Sequence, residues 1–173
     1  MDDVLTFKNH YAKGSVQRKC LACLVFTARE ISGVRTLGRA DVRGNFIRGE
    51  RQKTWEDSTT PVLGLLKSEL GDDYNNLVWV AKPDGTAYSA NSLPQRFSGW
   101  ATDAGLPDLS AHGLRKSVGT ILADMGASEN TIMAVLAHRS AGAAQIYVRG
   151  ANRRKLAGEG MAAVEEEISR IWN

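Results

Sequence analysis

From Ser89 to the C terminus the sequence reads as one helix after another, and that half of the chain dictates the fold class. Apolar and small residues recur at helical spacing over 89–104, 110–125, 129–137, 141–148 and 152–171, with breaks at Gly105-Leu106-Pro107, Gly126 and Ser140. Ser128 stands where its hydroxyl can cap the helix that follows. In the last helix Met161, Val164, Ile168 and Ile171 recur on one side, with Glu165, Glu166 and Glu167 among them. Such an amphipathic helix needs a surface to pack on, either its own domain's or a neighbour's.

Any sheet must therefore come from upstream. Residues 1–14 carry little pattern beyond a short helix. Cys20, Leu21, Leu24 and Val25 give a helical stripe within 16–30, and a second helical stretch over 32–37 is stopped at Gly38. Between Asp41 and Leu63 the pattern changes: Val42, Phe46 and Ile47, a Gly44-Asn45 turn, then RQKT and TTPVL predict a short antiparallel sheet, with Pro61 on an edge. Helix returns at 63–70, LVWV at 77–80 is an extended run, and Pro83-Asp84-Gly85 makes a turn. The expected fold is mostly α with a small antiparallel β-sheet (α+β). One domain is expected over 16–173, preceded by an N-terminal segment at 1–15 and ending in an amphipathic helix at 152–173.

A chain of 173 residues, 43% hydrophobic and 24% charged, is long enough for one domain with a real core. It contains no apolar run of the ~18 residues a membrane span needs, and its opening residues lack the pattern of a signal peptide, so a cytoplasmic setting is expected. The net charge of +3 says less than its distribution. Arg35, Arg39, Arg43, Arg48, Arg51 and Lys53 are opposed in their stretch by only Asp41 and Glu50, and Arg149, Arg153, Arg154 and Lys155 form a second cluster. Such patches suit a polyanion, although a solvated basic surface has the same signature. Cys20 and Cys23 form a lone C-x-x-C in an apolar helix with no second ligand pair, which predicts buried thiols rather than a zinc site. No metal or other cofactor is expected.

The chemistry concentrates between Ser110 and Tyr147. His112 and Arg115 are three apart, so a helix places them on one face. His138 follows a helix end, and Tyr147 lies nine residues later on the next helix. Alone, a histidine or tyrosine is more often structural than catalytic. Together they suit phosphoryl transfer: arginine grips phosphate with a fork of donors, and histidine moves protons near neutral pH.

The order H-G-L-R, A-H-R-S, Q-I-Y-V-R resembles the H-x-L-R … G-H … R-Y box of tyrosine recombinases and phage integrases. Upstream, FTAREISGVRTLGRADV is similar to the family's T-G-x-R-x-x-E/D-L-x-x-L-x-x-x-D-I/V segment, with Thr27, Leu37, Asp41 and Val42 in register, and RQKT matches the hairpin that carries the family's lysine. The resemblance runs from about residue 16 to 160. It implies a site-specific recombinase catalytic domain, in which Tyr147 attacks the scissile phosphate to form a 3′-phosphotyrosyl link and release a 5′-hydroxyl. Arg115 would stabilise the nonbridging oxygens, His112 assist proton transfer at the tyrosine, His138 hydrogen-bond the phosphate and Lys53 protonate the leaving oxygen. Double-stranded DNA is the implied partner, with Arg39, Arg43, Arg51, Lys116, Arg139 and Arg149 as contacts. The last helix would join copies on DNA, or join this chain to other recombinase subunits, in a bacterial nucleoid and as part of a mobile element.

One position departs from this pattern. In the register set by Thr27, Leu37 and Asp41, the family's first catalytic arginine falls on Glu30, and its following acidic residue on Gly33. Losing a charged donor is worth about 1.5–3 kcal/mol. A carboxylate about 5 Å from a phosphate adds roughly 3 kcal/mol of repulsion at an effective dielectric near 20. Together these amount to on the order of a thousandfold or more in rate. Arg29 is the neighbouring substitute, but one step along a helix turns a side chain by about 100°. Family members also precede this domain with a helical DNA-clamping domain, where this sequence has only 1–15. The readings in competition are an active but impaired recombinase, a degenerate DNA-binding relative of an integrase and, as a third, a DNA-relaxing enzyme of the type IB topoisomerase kind.

Overall fold

The computed structural model describes residues 2–51, 56–138 and 140–172. Helix α1 (Asp2–His10) has Asp2 and Asp3 in its first turn and Lys8 and His10 in its last, as the helix dipole favours. Its Phe7 is fully buried and stacks on Phe97 with ring centroids 5.6 Å apart, while the Tyr11 hydroxyl donates to the Trp100 carbonyl at 2.8 Å. These contacts pack the N-terminal segment into the main core.

Helix α2 (Val16–Thr27) begins at Ser15, whose side chain accepts the Arg18 N–H, and it buries Cys20, Leu21, Ala22, Cys23, Leu24 and Thr27. Both cysteines are free and fully buried. The helix ends short of the expected Glu30, because Ala28 turns left-handed at φ 51°. A non-glycine residue there costs roughly 1–2 kcal/mol, and the usual glycine signal for a C-cap is missing. Glu30 is then the extended N-cap of the short α3 (Ile31–Val34). Arg29 and Glu30 thus lie in a turn between helices, and the 100° argument made for a continuous helix does not apply to them.

Gly38 has a different task from the helix stop expected of it. A Cβ there would run into the Leu77 carbonyl, so glycine permits two backbone segments to touch. The Trp79 N–H donates to the Leu37 carbonyl at 2.8 Å beside it. The extended run at 77–80 is held by this contact and by burial of Trp79 and Val80; among the described residues it joins no sheet, and an isolated bridge pairs Ala81 with Ala87 beside it.

The sheet consists of β1 (Val42–Arg43), β2 (Phe46–Arg51) and β3 (Glu56–Pro61), antiparallel in that order. Val42 pairs with Ile47 and Ile47 with Thr60, so three buried residues share one face. Pro61 closes the outer strand, where no ladder donor is lost. Helix α4 (Gly64–Leu70) follows and packs on α2.

The C-terminal half holds α5 (Ser92–Asp103), α6 (Ala111–Asp124), α7 (Glu129–Leu136) and α8 (Ala141–Trp172). Ser110 and Ser128 cap α6 and α7, accepting the N–H of Gly113 and Thr131. The break expected between 148 and 152 is absent, and α8 runs unbroken for 32 residues. Gly150 costs about 1 kcal/mol relative to alanine, too little to stop a helix whose neighbours all favour it. A large core gathers α1–α5, the sheet and the start of α6; a smaller one gathers Ala28, Ala123, Ile132, Leu136 and Ala144 under α6–α8.

Candidate active site

The N-terminal turn of α6 and the α2–α3 turn face each other across a cavity of about 230 Å³ lined by Glu30, Ile31, Ser32, Ala111, His112 and Arg115. Helix N-termini favour anions, and Arg115 adds a full positive charge. His112 and Arg115 share the cavity, as their spacing on one face predicts, although His112 is exposed and Arg115 is buried. Glu30 shares it too. The hollow best suited to an anion therefore counts an acidic residue among those that line it.

Arg115 is doubly employed. One guanidinium nitrogen donates to the Ala28 carbonyl and another to the Leu136 carbonyl, both short bonds. Ala28 is the C-cap of α2, and Leu136 is the last residue of α7. One side chain thereby binds two helix C-termini, where carbonyls lack helical partners and the dipole welcomes a cation. A guanidinium carries five N–H groups in a planar fork, the geometry that suits both carbonyls and oxyanions.

Arg29 takes another direction. It is only 8% exposed and its guanidinium lies against Gly49 of β2, where a Cβ would collide with it. Burial lowers its pKa, and the Asp41 carboxylate partly restores it. Arg29 does not line the cavity that holds Glu30 and Arg115.

Tyr147 sits on α8 with its ring edge over Gly119 of α6. A Cβ on Gly119 would lie 2.8 Å from Cε1 and 2.9 Å from Cζ of the tyrosine, and 3.0 Å from a Leu136 methyl. Gly119 is one turn beyond Arg115 on α6, so the glycine is what lets the tyrosine ring settle onto the arginine's helix. His138 follows the left-handed Ala137 (φ 44°), and its ring stacks on Tyr147 with centroids 6.3 Å apart and planes 19° from parallel. Two constellations result, Glu30–His112–Arg115 and His138–Tyr147, linked through Leu136, whose carbonyl holds Arg115 and whose side chain meets Gly119.

Lys53 and Arg139 lie outside the described residues, as does the side chain of Arg51. Arg43 is exposed and donates to the Ala40 carbonyl at 2.6 Å, while Arg39 lies over the Tyr74 ring, 5.8 Å from its centroid. Lys116 is exposed on α6, and the exposed Arg149 donates to Gln145 at 3.2 Å. Sequence reasoning missed Ser32 and the part played by Gly119. A glycine inside a helical pattern is the signal for close approach that would have found the latter.

The glycines of the family pattern meet this geometry directly. In T-G-x-R the glycine falls on Ala28, and in G-H it falls on Ala137. These are the two non-glycine residues with positive φ among the described residues. Both positions therefore adopt the left-handed conformation that glycine fits best.

The fold is similar to that of XerA recombinase, with a TM-score of 0.73 and 17% identity over 91% of this chain and 63% of that one. It is also similar to XerH site-specific recombinase bound to palindromic difH substrate (TM-score 0.72, 19% identity, 95% of this chain and 52% of that one). A lambda integrase dimer bound to a COC′ core site gives a TM-score of 0.69 and 17% identity, over 85% of this chain and 46% of that one. The chain thus spans less than two thirds of the length of these structures. No curated protein sequence matches it. Among the described residues no helix is long and apolar enough to cross a membrane, and no cluster of side chains could hold a metal ion. The Phage integrase family model matches residues 47–154, well over half the chain, and the chain belongs to that family, with the fold of a tyrosine recombinase catalytic domain.

Proposed function

We propose that this chain is the catalytic part of a DNA breaking and rejoining enzyme whose reaction is held back by Glu30. The Tyr147 oxygen attacks the scissile phosphorus, the bond from phosphorus to the 5′-oxygen breaks, and a 3′-phosphotyrosyl link forms. His112 takes the phenolic proton, and Lys53 supplies a proton to the 5′-oxygen. Arg115 and His138 hold the nonbridging oxygens as charge builds on them. The link conserves the energy of the broken phosphodiester, so a free 5′-hydroxyl from another strand reverses the step and rejoins DNA without ATP.

The observation that carries the reading is the shared cavity of Glu30, His112 and Arg115 at the N-terminus of α6. It suits a phosphate in every respect except the carboxylate. Arg29, packed against β2, supplies no replacement charge in that cavity unless it leaves its buried place. Catalysis is therefore impaired rather than rescued, and the second reading, a relative that binds DNA without cutting it, is favoured by the same carboxylate. Duplex DNA is the proposed partner, a reading supported by the lambda integrase solved bound to DNA, with Arg39, Arg43, Arg51, Lys116, Arg139 and Arg149 along the contact. Copies associate on DNA through the outer part of α8. The work is done on the bacterial chromosome, in the cytoplasm.

The test is covalent trapping on a pool of nicked suicide DNA substrates. The proposal expects a weak adduct in the parent chain, lost in Tyr147→Phe and raised on the order of a thousandfold in initial rate by Glu30→Arg. A parent chain as fast as Glu30→Arg would show that the carboxylate is no obstacle. Absence of an adduct from both would leave the DNA-binding reading in possession.

A further inference from the structure

The Tyr147 side chain is held by packing and not by a hydrogen bond. Among the described residues its hydroxyl has no hydrogen-bond partner. Its helix is anchored one turn earlier by Ala144, which is fully buried. The ring then lies with one edge over Gly119 and nearly parallel to the His138 ring. The edge over Gly119 is the reactive end. A Cβ at 119 would meet Cζ, which bears the hydroxyl, at 2.9 Å and Cε1 at 2.8 Å. Carbons in ordinary contact stay about 3.5–4.0 Å apart. Glycine at 119 therefore lets the hydroxyl end of the ring come roughly 1 Å closer to α6 than an alanine would.

We propose that Gly119 is a positioning residue for DNA cleavage: lacking a Cβ, it seats the hydroxyl end of Tyr147 against the helix that carries Arg115 and so sets the approach of the nucleophile to the phosphate. This rests on the recombinase reading above and adds to it a residue that touches neither DNA nor the reacting atoms. Two observations make the seat a working position and not a resting one. The hydroxyl is left unengaged by the protein, so its proton and its lone pairs remain available for the reaction. The seat is also tied to the guanidinium assigned to the phosphate. Gly119 follows Arg115 by one turn of α6, and Leu136, whose methyl would lie 3.0 Å from a Cβ at 119, gives its carbonyl to Arg115. Tyrosine and arginine are thus referred to the same two elements.

The atoms in the way of a methyl at 119 are ends of side chains and not backbone, so Gly119→Ala can fold by turning the tyrosine aside. That turn displaces the hydroxyl most, because it lies at the far end of the side chain. The experiment places Gly119→Ala in the Glu30→Arg chain and measures covalent trapping on the nicked substrates across a range of DNA concentrations. The expected result is a maximal rate about a hundredfold lower at an unchanged half-saturating DNA concentration, since a misplacement of about 1 Å costs on the order of that factor. Gly142→Ala, also a helical glycine but on α8 and with no neighbouring atom within 4 Å of an added Cβ, should cleave like its parent. Adding Leu136→Val to Gly119→Ala removes the methyl contact and leaves the ring contact, so this double variant should be as slow; it also serves if crowding on both sides unfolds the single one.

A second readout needs no cleavage. With 3-fluorotyrosine in place of the four tyrosines of the whole chain, the fluorine line lost in Tyr147→Phe belongs to the ring at the seat. Gly119→Ala should move that line and leave the others, whereas Gly142→Ala should move none. An unmoved line would overturn the proposal whether or not DNA is cut. So would a moved line with an unchanged or faster maximal rate, or an equal loss of rate in Gly142→Ala. Absence of an adduct from every chain, with the line moved as expected, would instead bring down the recombinase reading and the positioning role with it.

Discussion

Replacing Arg115 is expected to damage the fold as well as the chemistry. Its guanidinium satisfies the Ala28 and Leu136 carbonyls at the C-termini of two helices, and it is only 6% exposed. A hydrogen bond from a charged donor contributes about 1.5–3 kcal/mol, so two amount to roughly 3–6 kcal/mol before water reaches the orphaned carbonyls. Allowing for that rehydration, Arg115→Ala should lose about 3 kcal/mol, a fall of roughly 6–12 °C in Tm for a domain of this size. Arg115→Lys keeps the charge but lacks the planar fork that reaches both carbonyls, and should lose about half as much. Urea or thermal unfolding measures both. His112→Ala, on an exposed residue of the same cavity, should stay within about 0.5 kcal/mol of the parent and serves as the control. If Arg115→Ala unfolds within that same margin, the two carbonyl bonds contribute nothing and the reasoning fails. If it does not, lost DNA cleavage in an Arg115 variant cannot be assigned to transition-state binding until the folded fraction has been measured.

Ala28→Gly and Ala137→Gly should each stabilise the protein by about 0.5–1 kcal/mol, because relief of left-handed strain outweighs the added freedom of the unfolded chain. The urea midpoint should rise at unchanged slope, whereas Ala123→Gly, inside α6, should lower it. Burial pushes the thiol of Cys23 up to about 12 and raises that of Cys20 as well. Both should therefore resist a thiol reagent in the native protein at pH 8 and react on unfolding, so rapid native labelling would contradict their burial. The thiols stay protonated in the folded chain but ionise from pH 9 when it unfolds, so their share of stability, full below pH 9, is lost as pH rises towards 12.

The helical C-terminal half was legible because its pattern repeats over many turns and its caps are of the usual kind. Ser128 caps α7 as its position predicts, and the sheet between Val42 and Pro61 follows from alternation around a glycine turn. The boundaries that failed did so for local reasons. Ala28 ends α2 without the glycine that marks such an end, and Gly150 lies in α8 without ending it. In both places packing outweighed a preference worth about 1 kcal/mol.

The sequence by itself determined the fold class, the family and the identity of the chemical groups, since motif order and spacing are properties of the chain alone. Tertiary structure decided what those groups face. Glu30 was visible as a departure, but only the folded chain puts it in the lining of one cavity with His112 and Arg115. Arg29 looked like its substitute from adjacency, until the turn at Ala28 sent it to Gly49 of β2. The carbonyls that Arg115 binds come from positions 87 and 21 residues away along the chain. No local pattern encodes such contacts, because they depend on where two helices end relative to a third, and burial settles that for the whole molecule at once.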